Sequence, residues 1–178
     1  ILWCQHKRGH TKPFEEGERD EAPGVPVSPP ARKIVYVAFA LGGVSALGCI
    51  LPEAHDHNQP GARDIADRLM ASLGSMLLYW HHYAHHGRRI DVETDDDSIG
   101  SHFLHLLHGR KPSPSHERAM HTSLILYAEH EYNASTFTAR SIAGTGSDLY
   151  SAVTGAIGAL RGPKHGGANE IAFEVQKR

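Results

Sequence analysis

From residue 61 onward the apolar positions step by three and four. Ile65, Leu69, Leu73, Met76, Leu77 and Trp80 fall on one helical face, and Gly87 after His86 predicts a C-terminal cap. Asp95, Asp96, Asp97 and Ser98 place acids and a hydroxyl where a second helix should start. Phe103, Leu106 and Leu107 carry that helix to Gly109. Ser113 before Pro114 supplies the N-cap and first residue of a third helix, which bears Met120, Leu124 and Tyr127 and has His130 near its end. Ser147 and Asp148 open a fourth, with a broad stripe of Leu149, Val153, Ala156, Ile157 and Leu160. Ala152, Gly155 and Ala159 line another side of it with almost no side chain. An interior glycine costs about 1 kcal/mol relative to alanine. Tight packing against a neighbour, such as a second subunit, should offset that cost. The chain reads as all-α and multi-helical.

The first 32 residues differ. They are polar and rich in proline (Pro13, Pro23, Pro26, Pro29 and Pro30), so little burial offsets the entropy of ordering them. Lys33 to Leu41 is nearly continuous apolar sequence, and periodicity leaves strand and buried helix equally open. The expected division is an extended or disordered segment over 1–42 and a helical domain over 43–178. The apolar stretch Ile34–Ile50 contains Gly42, Gly43 and Gly48 and is barely long enough for a membrane span. It also lacks the charged flank at the chain start that a signal peptide needs, so it is read as core.

Composition narrows the classes. At 178 residues the chain can bury one real core, and its net charge of −2 offers no basic excess for nucleic acid. Two cysteines, Cys4 and Cys49, make no disulfide framework, which favours a reducing, cytoplasmic setting. Fifteen histidines make the charge sensitive to pH near 6.

Chemistry concentrates in Gly162-Pro163-Lys164-His165-Gly166-Gly167-Ala168-Asn169. One histidine stands between a proline turn and a glycine pair, where one helix should stop and the next begin. An imidazole there can meet a ligand that also contacts free helix-terminal amides. A second imidazole, His130, lies thirty-five residues upstream in Ala128-Glu129-His130-Glu131-Tyr132-Asn133-Ala134-Ser135-Thr136. Gly144-Thr145-Gly146, between them, lacks the lysine and spacing of a phosphate loop and reads as a helix–helix turn.

These two segments, with Ser141 to Ser147 between them, resemble the citrate synthase family, and most of all its 2-methylcitrate synthase branch. The resemblance covers about three quarters of the chain, from Gly43 to Arg178. It implies an all-α enzyme fold, a homodimer, and condensation of an acyl-CoA with oxaloacetate followed by thioester hydrolysis. Propionyl-CoA is the expected acyl donor and acetyl-CoA the alternative. The coenzyme A thioester is a substrate, and no cofactor is implied. By resemblance His165 is the catalytic donor on the thioester carbonyl, and His130 hydrogen-bonds oxaloacetate. The resemblance also implies a further histidine in a G-F-G-H segment, a later aspartate and clamping arginines, none of which can be assigned in these residues. Arg140 and Arg161 read as helix-surface charges. The missing groups imply a chain without turnover of its own, and the abrupt loss of resemblance before Gly43 implies a truncated or frame-disrupted start.

Two other classes compete with the enzyme. One is a truncated helical protein that associates without catalysis. The other is a histidine-rich metal binder. His81, His82, His85 and His86 form two i, i+4 pairs, a spacing that can hold a metal on one helix face, and His102, His105 and His108 add a second cluster. With no third or fourth ligand evident, these are read as solvated helix ends, and no metal site is expected. Cys4, His6 and His10 lie in the polar start and are set aside for the same reason.

Overall fold

The computed structural model describes residues 29–51, 59–129 and 131–176. Among them seven helices form: α1 (Pro29–Ile50), α2 (Gln59–His86), α3 (Ile99–His108), α4 (Pro114–Ala128), α5 (Ala134–Ala143), α6 (Leu149–Leu160) and α7 (Ala168–Gln176). No strand occurs among the described residues. The segment left open between strand and helix is helical. α1 runs across the boundary expected at residue 42, so 29–42 are helical rather than extended. Pro29 and Pro30 sit at its first turn, where a missing N–H costs no intrahelical bond. Residues 1–28, with Cys4, His6 and His10, lie outside the described residues. Among the described residues no helix is long and apolar enough to cross a membrane.

Helix ends follow the chemistry expected of them. Gly87 and Gly109 take left-handed φ values of 61° and 67°. The Gly109 N–H donates to the His105 carbonyl at 2.8 Å, satisfying one of the orphan acceptors of the last turn. Ser98, Ser113 and Asp148 each accept a backbone N–H from the first turn they precede. α5 has no comparable apolar signal, since Phe137 and Ile142 are its only large apolar residues. Its start is set by Asn133, whose side-chain oxygen accepts from the Ser135 and Thr136 N–H groups.

α6 packs against both α1 and α5, and α1, α2, α3 and α4 pair in sequence order. Val44 of α1, Ile65 and Leu69 of α2, and Tyr150 of α6 form the buried centre, with Leu73, Val153 and Ile157 packed around it. Two glycines let α6 come close to its neighbours. A Cβ on Gly48 would lie 2.7 Å from the Tyr150 Cβ, at the α1–α6 crossing. A Cβ on Gly155 would lie 2.1 Å from the Ile142 Cδ1 of α5. The small face of α6 therefore meets α5 of the same chain, and not a second subunit at that position.

The segment leading into α3 is pinned by polar bonds. The Asp96 carboxylate is fully shielded from water and accepts from Ser101 Oγ at 2.7 Å and from His105 Nδ1 at 2.7 Å. The Ser101 hydroxyl, joined by Thr94 and His105 and opposed by burial, holds the Asp96 carboxyl at about 2, below its ordinary 3.8. A depressed carboxyl contributes stability that is present above 3.8 and is lost as pH falls toward 2. Asp96→Asn should therefore flatten the acid limb of a melting-temperature profile between pH 4 and 2. An acid limb identical to that of the parent chain would show that this carboxylate does not couple to folding.

Candidate active site

His165 stands in the turn that joins α6 to α7. Its backbone N–H donates to the Gly162 carbonyl at 3.0 Å, and its own carbonyl accepts from Ala168 N–H at 3.2 Å. The glycines on its C-terminal side are required by close approach. A Cβ on Gly166 would lie 2.0 Å from the Leu160 carbonyl oxygen, and one on Gly167 would lie 2.3 Å from the Pro163 oxygen. Both obstacles are backbone, which cannot rotate aside. Gly166→Ala is therefore expected to displace the turn and break the contacts of the His165 ring. Unchanged His165 ring shifts in a histidine-selective NMR spectrum of that variant would refute this.

The ring is half-buried and reaches a residue thirty positions earlier. His165 Nε2 lies 2.7 Å from Ser135 Oγ in the first turn of α5. Ser135 Oγ in turn donates to the Ala156 carbonyl of α6 at 2.8 Å. A hydroxyl has one proton. With that proton on Ala156, neutral His165 must donate Nε2–H to Ser135, and Nδ1 carries a lone pair. If the hydroxyl turns its proton to Nε2, Nδ1 becomes the N–H. One rotor thus decides whether the outer nitrogen of His165 donates or accepts.

The contact explains why the two sequence segments occur together. Asn133 caps α5, the cap fixes its first turn, and that turn presents Ser135 to His165. Sequence reasoning quoted Ser135 within its motif but gave it no role. The signal was a hydroxyl in the first turn after a cap, which by itself is common.

His130 lies outside the described residues, so its distance to His165 is not defined. Its surroundings are unusual. Glu131 and Tyr132, the next two residues, have φ of 33° and 35°, a region that side-chain-bearing residues rarely enter. The Glu131 N–H donates to the Glu129 carboxylate across the same turn. Such backbone costs about 1–3 kcal/mol per residue and concentrates at ligand-binding turns. Arg140 and Arg161 are exposed, as read from sequence.

Several other histidines have structural partners. His82 is buried and donates Nε2–H to the Leu106 carbonyl at 2.8 Å, tying α2 to α3. His102 lies between Ser75 and Thr94, at 2.8 Å from each. Among the described residues, Asp95, Asp96 and His105 alone bring three donors of metal-ligand type within 4.8 Å of one another. Both Asp96 oxygens there are already committed to Ser101 and His105.

Residues 29–178 match the family model described as citrate synthase, C-terminal domain. The chain belongs to the citrate synthase family. It is 59% identical over 133 residues to the 2-methylcitrate synthase of Shewanella oneidensis, covering 75% of this chain and 35% of that protein. It is 40% identical over 132 residues to the citrate synthase of Deinococcus radiodurans, covering 74% of this chain and 35% of the relative. Among solved structures, the ternary complex of carboxymethyl coenzyme A and oxaloacetate with citrate synthase from Thermoplasma acidophilum superposes with a TM-score of 0.65 at 32% identity. That match covers 78% of this chain and 36% of the other. The chain thus spans about a third of the length of the citrate synthases it matches. The family expected from the two motifs is correct, and so is the all-α fold.

Proposed function

We propose that this chain forms part of the active site of a 2-methylcitrate synthase. The reaction joins propionyl-CoA, oxaloacetate and water to give 2-methylcitrate and CoA. A base removes a proton from the carbon beside the thioester carbonyl. The resulting enol attacks the oxaloacetate ketone carbon to form the new carbon–carbon bond. Water then cleaves the thioester and CoA leaves.

In this reading His165 donates a hydrogen bond to the thioester oxygen as negative charge develops there. A donor fixed in place before reaction stabilises that charge without reorganisation at the moment of reaction. Donation from Nδ1 requires Ser135 to turn its proton from the Ala156 carbonyl to Nε2. Ser135 therefore positions and polarises the ring, and His130 hydrogen-bonds oxaloacetate. The Ser135–His165 contact carries the proposal, because it joins the two segments that carry the chemistry.

The 59% identity to a 2-methylcitrate synthase favours propionyl-CoA. Acetyl-CoA is the competing donor, favoured by the citrate synthases among the relatives. One methylene is worth only about 1–3 kcal/mol of discrimination, so pocket shape decides between them. The working assembly in this reading is a homodimer in a reducing, cytoplasmic setting. α4 buries none of its residues and leaves Ile125, Leu126 and Tyr127 between 65% and 74% exposed, which is surface that association can cover. Cys49 is an exposed thiol, in keeping with a reducing compartment.

The test transplants the 133 aligned residues into the Shewanella oneidensis 2-methylcitrate synthase and follows CoA release with oxaloacetate and each acyl-CoA. The chimaera should turn over propionyl-CoA with the higher kcat/KM. A higher value for acetyl-CoA would move the reading to citrate synthase. A folded chimaera without turnover of either would end it.

A further inference from the structure

The last turn of α2 carries a second arrangement of imidazoles that the condensation reaction does not use. The His81 and His85 rings lie nearly parallel, with centroids 4.7 Å apart and planes inclined by 27°. Their Nδ1 atoms turn toward one oxygen, Tyr36 Oη of α1, at 2.6 and 3.3 Å. His85 Nδ1 also lies 3.0 Å from the His81 carbonyl. A carbonyl only accepts, so His85 Nδ1 carries the proton and the lone pair of neutral His85 is on Nε2. The Tyr36 oxygen can equally accept from His81 Nδ1–H, which puts the His81 lone pair on Nε2 as well. Stacked rings whose Nδ1 atoms share one anchor leave both Nε2 atoms on the far side from it. His85 is exposed and His81 half-buried.

We propose that His81 and His85 bind a divalent transition-metal ion of the zinc, nickel or copper type through their Nε2 atoms. Imidazole nitrogen suits these ions. Zn–N bonds of about 2.0–2.1 Å at a tetrahedral angle need nitrogens about 3.4 Å apart. Modest rotation of rings stacked at 4.7 Å brings them to that spacing. A ligating histidine ordinarily donates its other N–H to an oxygen, which fixes the tautomer and aims the ring. Tyr36 and the His81 carbonyl supply those acceptors. With two protein ligands, water completes the shell. The site also lies at a helix C-terminus, whose unpaired carbonyls favour positive charge. Arg88 and Arg89 follow it and oppose the cation in part. They are exposed, where screening by solvent weakens their effect. The i, i+4 spacing alone had suggested solvated histidines and no metal site. The anchoring hydroxyl from another helix is what changes that reading.

The test is calorimetric titration of zinc chloride into the full 178-residue chain, prepared without a polyhistidine tag and stripped with chelator. One saturable site per chain is expected. His81→Gln and His85→Gln should each weaken it at least tenfold. Tyr36→Phe, which removes the anchor but no ligand, should weaken it by about tenfold. Circular dichroism of each variant checks that the helices persist. His108→Gln and His116→Gln, at exposed histidines elsewhere, should leave binding unchanged. The proposal is overturned if no saturable binding occurs or if His85→Gln binds as the parent does. It is also overturned if Asp95→Asn removes the site instead, which would assign it to the Asp95, Asp96 and His105 group.

Discussion

His165→Ala is expected to lower kcat of the active chimaera by about 10²–10³-fold while leaving KM for oxaloacetate nearly unchanged. The loss corresponds to about 2.7–4 kcal/mol, the cost of removing one preorganised donor from a developing oxyanion. The asymmetry follows from where the bond is strongest. A thioester carbonyl in the ground state carries little charge, and the enol oxygen carries much more. An interaction realised mainly in the transition state appears in kcat. Ser135→Ala should also lower kcat, by less, because the ring keeps its place in the turn and loses only its partner at 2.7 Å. His130→Ala should differ in kind, raising KM for oxaloacetate as well as lowering the rate. If His165→Ala and His130→Ala both stayed within a fewfold of the parent, the assignment of these histidines would be wrong.

Gly155→Leu is expected to lower the melting temperature substantially without dissociating those chains that remain folded. The glycine faces Ile142 of α5, and a Cβ alone would come within 2.1 Å of that side chain. Forcing a leucine into such a contact costs about 1–3 kcal/mol or more. For a chain of this length each kcal/mol shifts the melting temperature by about 2–4 °C. The parent is expected to sediment as a dimer or larger. Because the substitution acts inside the chain, its folded fraction should sediment the same way. A melting temperature equal to that of the parent, with assembly lost, would place Gly155 at a subunit interface.

The histidines show where local sequence stops being informative. Fifteen of them occur in the chain, and spacing alone could not rank them. His82 reads like its neighbours, yet it is buried on the Leu106 carbonyl. His85 is exposed and shares a tyrosine hydroxyl with His81. His165 stood out because proline and glycine surround it, and Gly166 and Gly167 do lie too close to neighbouring backbone for a Cβ, though neither takes a left-handed φ.

The sequence by itself determined the helical class, the family, and the ends of several helices. The family rests on the resemblance carried by the two histidine motifs, while the helical class and the helix ends rest on short-range physics: a hydroxyl or carboxylate bonding an amide two or three residues on, a glycine accepting left-handed φ, and apolar residues recurring each turn. Gly109 and Ser113 act where they were expected because their partners lie within a few positions of them. Only the tertiary structure decided that residues 33–41 are helical, since a continuous apolar run satisfies strand and buried helix alike. It also decided that Gly155 packs within the chain, because a small face says that something comes close without saying what. The same holds for Ser135 against His165 and for Tyr36 against His81 and His85, thirty or more positions apart. Contacts at that separation depend on how α1, α2, α5 and α6 cross, and those crossings are set by the joint packing of Val44, Ile65, Leu69 and Tyr150, and for α5 by Ile142 against Gly155, rather than by any single segment.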